Sequence, residues 1–162
     1  KGWTLSIAES CTGGLINDRI TDVPGSSDYF EGGMVTYSNK SKTELLGIPE
    51  AYIKRFGAVS PQVAKKMAQG VRKAFGTNFG LSTTGIAGPT GGTKEKPVGL
   101  VFIGMSNGRR TLVIQLNLKG SRREIKEKAA EKALKFFYER LIHGDFLKRR
   151  VGQKGRNEKG TF

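Results

Sequence analysis

The chain has 162 residues, 36% of them hydrophobic and 26% charged, which is typical of one globular domain with a sizeable core. Lysine and arginine outnumber aspartate and glutamate by 28 to 14, and the resulting net charge of +14 attracts anions. The single cysteine, Cys11, excludes an internal disulfide, and the single histidine, His143, argues against a Ser-His-Asp triad or a zinc site. We therefore expect a cytoplasmic protein with no metal, no cofactor and no membrane span.

The chain alternates between strand and helix patterns. In chain order these are strand 3–8, helix 15–20, strand 32–38, helix 41–46, helix 61–75, strand 79–84, strand 98–105, strand 111–118 and a last helix after Ser121. Ser60 and Pro61 are a strong helix start, and Asn107-Gly108 predicts a hairpin between the last two strands. Because the first strand begins almost at Lys1, we expect a domain of a longer protein.

This alternation predicts an α/β fold, a three-layer α/β/α sandwich with a mixed, mostly parallel five-stranded sheet ending in a β-hairpin. Ligands of such sheets bind at the carboxyl ends of the parallel strands. Those ends carry two glycine-rich loops, residues 9–14 and 84–92. We predict substrate-binding residues in both loops, namely Glu9, Ser10, Thr12, Gly13, Gly14, Thr84, Gly85, Gly88 and Gly91.

The two loops leave alternatives open. The first loop could hold a phosphate or carboxylate at a helix start, or it could be only a tight turn capped by a hydroxyl. Cys11 could be a nucleophile, although no base accompanies it and a small buried role is more common. The second loop exposes backbone amides that suit an anion or oxyanion, but it lacks the Gly-Lys-Ser/Thr end of a P-loop.

A third candidate is a serine–lysine pair. Ser27 follows a Pro-Gly turn, and Lys42 comes shortly after Tyr37. A lysine can activate a serine without histidine if burial or a nearby cation lowers the pKa of its amine. Fifteen positions of sequence separation prove little by themselves.

Several motifs together resemble the CinA C-terminal domain family over roughly residues 3 to 140. They are AESCTGG at 8–14, VPGSS at 23–27, GGMVTYSN at 32–39, GAVS at 57–60 and TGIAGP at 84–89. The resemblance implies an amidohydrolase that converts nicotinamide mononucleotide to nicotinate mononucleotide and ammonia, in pyridine nucleotide recycling. It also implies a homo-oligomer, a dimer or larger.

The resemblance assigns catalytic roles to Ser27 as nucleophile, Lys42 as base, and Tyr37 and Arg122 as further site residues. Two positions depart from the family pattern: Phe56 stands where histidine is often found, and Ser121 where aspartate is common. The predicted domain is 1–144, followed by a basic, disordered tail over 145–162.

Two other functions stay open at this stage. A non-catalytic nucleotide-binding or regulatory module, linked to competence or DNA damage, would use the same loops. The positive charge also suggests nucleic-acid binding, which we expect to be weak and confined to the tail. From Lys148 onward the tail has six cationic residues and one acidic residue, Glu158.

Overall fold

A computed structural model describes residues 2–144. The predicted basic tail, residues 145–162, lies outside the described residues. The strands are β1 (Leu5–Glu9), β2 (Phe30–Val35), β3 (Phe79–Gly85), β4 (Leu100–Ser106) and β5 (Thr111–Asn117). The α-helices are α1 (Leu15–Thr21), α2 (Asn39–Leu46), α3 (Glu50–Phe56), α4 (Pro61–Phe75) and α5 (Arg122–Ile142), and a 3-10 turn covers Ser26–Asp28.

The five strands form one sheet in the order β2-β1-β3-β4-β5. β1 pairs in parallel with β2 and β3, whereas β3–β4 and β4–β5 are antiparallel. Four strands therefore run in one direction, and β4 alone runs against them. The predicted mixed, mostly parallel sheet with a terminal hairpin is confirmed, and residues 107–110 make the hairpin turn.

Helices cover both faces of the sheet, which makes the three predicted layers. α1 and α5 pack on one face, over a core that includes Ile7, Leu81 and Ile125. α4 lies on the other face with α2 and α3 beside it. β1 is buried along its whole length because it lies inside the sheet with helices on both sides.

α4 illustrates why the sequence folds this way. Ser60 caps its start by accepting a hydrogen bond from the backbone N–H of Val63, and Pro61 occupies the first turn. Val63, Met67 and Val71 follow at helical spacing and are completely buried. Burial of each such side chain contributes about 1.5–3 kcal/mol, so this face fixes α4 to the sheet.

One helix was not predicted. α3, with seven residues, follows Pro49 and has no side chain capping its start. It is held by tertiary packing instead: Ile53 is buried, and the ring of Tyr52 contacts that of Phe56. Within residues 2–144, no helix combines the length and the apolar character that crossing a bilayer requires.

Candidate active site

A cavity of about 270 Å³ opens at the carboxyl ends of β1 and β3. Its walls come from the loops that follow these two strands, from the segments before α2 and α4, and from one side chain each of α2 and α5. The predicted site residues among its lining are Ser10, Tyr37, Lys42, Thr84, Gly85, Gly88, Gly91 and Arg122. The chain thus brings together most of the predicted site, although these residues are far apart in sequence.

Lys42 reaches this cavity from inside the protein. It lies on α2, whose start is capped by the Ser38 hydroxyl, and its side chain is only 1% exposed. Its Nζ donates hydrogen bonds to the carbonyl oxygen of Thr36 at 2.7 Å and to that of Tyr37 at 3.2 Å. It also donates to the Ser10 hydroxyl at 3.1 Å. All three acceptors are neutral, so no carboxylate holds the ammonium in its charged form.

Burial lowers the pKa of Lys42 from 10.5 to about 8. At neutral pH roughly one such lysine in ten then carries a neutral amine, compared with fewer than about one in a thousand for a solvated lysine. A neutral amine at hydrogen-bond distance from a hydroxyl can accept its proton. The pair therefore has the geometry and the proton affinity of a base and a nucleophile.

Ser10 is the first residue after β1, and the backbone fixes its position. Its N–H donates to the carbonyl of Thr83 at 2.9 Å, so the end of β3 holds it in place. Its side chain lines the cavity and is 8% exposed. We predicted Ser10 to bind substrate, and the structure adds that its hydroxyl is the one that contacts Lys42.

The neighbouring Cys11 also lines the cavity but is a poor nucleophile. Burial raises the pKa of its thiol to about 12. Because the thiolate is the reactive form, Cys11 is almost entirely unreactive at neutral pH. The burial of Cys11 therefore favours a structural role for its side chain over a role as nucleophile.

Arg122 and Tyr37 form one rim of the cavity. Arg122, the first residue of α5, donates through Nη1 to the carbonyl of Gly88 at 2.8 Å and through Nη2 to the Tyr37 hydroxyl at 2.9 Å. The preceding Ser121 forms a capping box with Glu124. Arg122 therefore ties the second glycine-rich loop to the segment that follows β2.

The second glycine-rich loop lines the cavity, and its role in substrate binding stays a prediction. Gly88 has a φ of +76°, and a Cβ there would lie 2.5 Å from Cγ1 of Val98, so both conformation and space require glycine. The Thr84 hydroxyl donates to the carbonyl of Ala58 at 2.8 Å. Ala58 and Val59 belong to the cavity lining without having been predicted to do so, although the GAVS motif that contains them was part of the resemblance.

Four residues predicted in the first loop do not line the cavity. The Glu9 carboxylate is completely buried and accepts backbone N–H groups of Gly14, Ile16 and Asn17 at 2.8–3.0 Å. It therefore occupies the start of α1, where we considered a phosphate or carboxylate ligand. Thr12 is buried against the Thr83 hydroxyl at 2.7 Å, while Gly13 and Gly14 form the turn.

Ser27 is not brought to Lys42 within one chain. Ser27 is exposed and lies in the 3-10 turn just before β2. Lys42 instead contacts Thr36, which lies just after β2. The six residues of β2 separate these two ends by about 17 Å. Its neighbour Asp28 lines a different cavity, together with Trp3. A catalytic role for Ser27 stays a prediction from the resemblance, and Ser10 is the serine that contacts Lys42.

The part of the chain from residue 2 to residue 144 holds no cluster of three or more His, Cys, Asp or Glu side chains suited to a metal ion. The polar groups of the cavity are hydroxyls, backbone groups and two cationic side chains. Such a donor set suits an uncharged polar group or an anion.

Fold and site together define an α/β domain with a buried lysine–serine pair at the carboxyl edge of its parallel strands. The family model of the CinA C-terminal domain matches residues 1–141. The chain belongs to this family, as the sequence motifs predicted.

Curated relatives agree with this assignment. A "CinA-like protein" of Syntrophus aciditrophicus is 52% identical over 147 residues, which cover 90% of this chain and 35% of that protein. A "putative competence-damage inducible protein" of Desulforudis audaxviator is 52% identical over 126 residues, covering 78% of this chain and 30% of that protein. The chain thus spans about a third of the length of these relatives.

Solved structures agree in fold over nearly equal lengths. The competence/damage inducible protein CihA from Agrobacterium tumefaciens superposes with a TM-score of 0.83 at 40% identity, covering 85% of both chains. The competence damage-inducible protein A from Klebsiella pneumoniae gives a TM-score of 0.84 at 28% identity and covers 88% of both.

Proposed function

We propose that this domain is a serine amidohydrolase that converts nicotinamide mononucleotide to nicotinate mononucleotide and ammonia. The observation that carries the proposal is the hydrogen bond between buried Lys42 and the cavity-lining hydroxyl of Ser10. Membership of the CinA C-terminal domain family supports the choice of substrate through the sequence resemblance. We also propose that the domain forms a homo-oligomer, a dimer or larger, and that it works in the cytoplasm.

In the first half of the reaction, neutral Lys42 accepts the hydroxyl proton while Ser10 Oγ attacks the carboxamide carbon. Backbone N–H groups of the loop that contains Gly88 and Gly91 are suited to stabilise the negative charge on the carbonyl oxygen. The C–N bond then breaks as the Lys42 ammonium returns the proton to the departing nitrogen. Ammonia leaves, and the nicotinoyl group remains as an ester on Ser10.

In the second half, Lys42 accepts a proton from water as the water oxygen attacks the ester carbon. Collapse of this intermediate breaks the bond to Ser10, whose oxygen takes the proton back from Lys42. The products are the carboxylic acid and the free serine. The acid loses its proton to ammonia, so the sum is amide plus water giving carboxylate plus ammonium. Each step uses the same proton acceptor, and the Thr36 and Tyr37 carbonyls keep that acceptor in place.

The decisive experiment compares the two serines. Ser10→Ala and Ser27→Ala proteins are purified, their melting temperatures are compared with wild type, and ammonia release from nicotinamide mononucleotide is measured. Removing a nucleophile typically lowers kcat by about 10³-fold or more, and we expect this loss for Ser10→Ala. We expect Ser27→Ala to remain within about threefold of wild type, since surface substitutions away from a site are usually mild.

Two results would contradict the proposal. A fully active Ser10→Ala protein would remove Ser10 as nucleophile. A Ser27→Ala protein that is folded but inactive would instead support the role implied by the resemblance, with Ser27 reaching Lys42 of another chain. Nucleotide binding by the wild type without any ammonia release would favour the regulatory module, which the names of the competence-damage inducible relatives make the second candidate.

A further inference from the structure

A second cation lies beside the active-site cavity, on the same helix as Arg122. Lys126 follows Arg122 by four residues on α5, so the two side chains project from the same face of the helix. The Lys126 ammonium reaches the turn after β1, where its Nζ lies 3.3 Å from the place a Cβ on Gly13 would occupy. This turn connects directly to Ser10 and Cys11 in the cavity lining.

Lys126 is half-buried and has no hydrogen bond or ion pair within residues 2–144. The nearest carboxylates along α5 are engaged elsewhere: Glu124 accepts from Ser121, and Glu127 pairs with Arg123. The Glu9 carboxylate is occupied by the three backbone N–H groups at the start of α1. The charge of Lys126 is therefore not neutralised by these acids.

Other basic side chains near the cavity are committed to protein acceptors. The Lys42 ammonium is surrounded by three acceptors, and Lys96 donates to the carbonyl of Phe56 at 3.3 Å. Arg122 uses two of its five N–H groups for Gly88 and Tyr37, which leaves others for a ligand. Lys126 and the free edge of Arg122 are thus the cationic groups at this side of the cavity that remain available to an anion.

We propose that Lys126 binds the phosphate of the substrate, with Arg122 contributing from the adjacent turn of α5. This inference rests on the proposed function for the identity of the substrate. A phosphate monoester presents anionic oxygens that suit an ammonium and a guanidinium together. Its carboxamide then points toward Ser10, and its phosphate lies beside the Lys126 ammonium, which the absence of a Cβ on Gly13 allows to approach the turn after β1.

The test uses a probe that carries the phosphate but no carboxamide. Ribose 5-phosphate is titrated into the wild-type chain and into Lys126→Ala, Lys126→Arg and Lys132→Ala variants, and binding is followed by calorimetry. Lys132 is an exposed lysine further along α5, so its loss changes the net charge equally. A charge-assisted hydrogen bond is worth about a 10- to 100-fold change in Kd, and we expect that weakening for Lys126→Ala alone.

The kinetic arm compares nicotinamide mononucleotide with nicotinamide riboside, which lacks the phosphate. We expect Lys126→Ala to raise KM for the mononucleotide, with kcat nearly unchanged and with kcat/KM for the riboside unaffected. Lys126→Arg should retain most of the binding because it keeps the charge. An equal loss for both substrates would mean that Lys126 only supports the loop, and it would overturn the proposal.

The titration also separates this inference from the proposed function. If the wild-type chain releases no ammonia but ribose 5-phosphate binding still depends on Lys126, the amidase assignment fails and the phosphate site stands. If the wild type does not bind ribose 5-phosphate, or if Lys126→Ala binds it as well as the wild type, the phosphate site is wrong.

Discussion

Replacing Lys42 with methionine removes a buried titratable group while keeping most of the side-chain volume. Folding lowers the pKa of this lysine from 10.5 to about 8, because the charged form loses its hydration. Between these two pH values the unfolded chain binds more protons at this site than the folded chain. The free energy of unfolding of the wild type therefore rises with pH through this window.

The size of this effect follows from the two pKa values. The difference between 10.5 and about 8 corresponds to about 3 kcal/mol. The cost of burying the charged Lys42 lowers the free energy of unfolding of the wild type by this full amount below pH 8. Above pH 10.5 Lys42 is neutral in both states, and the cost disappears. The methionine variant lacks it at every pH. We expect the wild-type free energy of unfolding, minus that of Lys42→Met, to increase by about 3 kcal/mol from pH 7 to pH 11.

Urea unfolding at a series of pH values measures this difference directly. Taking the difference between the two proteins cancels the other lysines and tyrosines that titrate in the same range. Lys40→Met is the matched control, because Lys40 lies on the same helix with its side chain 80% exposed, and its difference should stay flat. A flat difference for Lys42→Met as well would mean that Lys42 keeps an ordinary pKa, which would refute its role as base.

Two further predictions concern catalysis and stability. In the wild type, kcat/KM for ammonia release should rise with pH and level off above about 8, because the base is the neutral form of Lys42; a profile without a rise between pH 6.5 and 8.5 would contradict this. Glu9→Ala should lower the free energy of unfolding by about 3 kcal/mol, since three backbone N–H groups lose their acceptor. Urea unfolding checks it, and a loss below about 1 kcal/mol would show that water replaces the carboxylate.

The fold was largely predictable because local patterns and global packing agree. Ser60-Pro61, Gly76 and Asn107-Gly108 stand where α4 begins, where it ends and where the last hairpin turns. α3 escaped prediction because nothing in its sequence caps it, and its helix depends on packing against α2 and α4. Such tertiary stabilisation leaves little local pattern in seven residues.

The site was predictable in its members but less so in its pairings. The resemblance implies that Lys42 is the base of a pair with Ser27, whereas the structure places Lys42 in the cavity beside Ser10. The number of residues between Ser27 and Lys42 does not show that they lie at opposite ends of a strand. β2 lies between them and keeps them apart. Ser10 is much farther from Lys42 along the chain, and only the parallel pairing of β1 with β2 brings them together.

The role of Glu9 was hidden for a similar reason. A carboxylate at a loop near glycines suggests ligand contact, whereas the structure uses it to satisfy buried backbone donors. Lys126 was not predicted at all, because one lysine in a helix rich in lysine and glutamate has no distinguishing pattern. Its position relative to Arg122 becomes meaningful only when α5 is placed beside the cavity.

The cavity has an interior floor and a solvent-facing rim, and this division has a consequence for engineering. Lys42, Ser10 and Thr84 are nearly inaccessible and contact the core, so a screening library at these positions would consist mainly of misfolded or inert proteins. Thr90 is exposed at the rim and contributes little to folding. Laboratory evolution toward a different amide should therefore vary the rim, where mutational tolerance is high and the reactive pair stays intact.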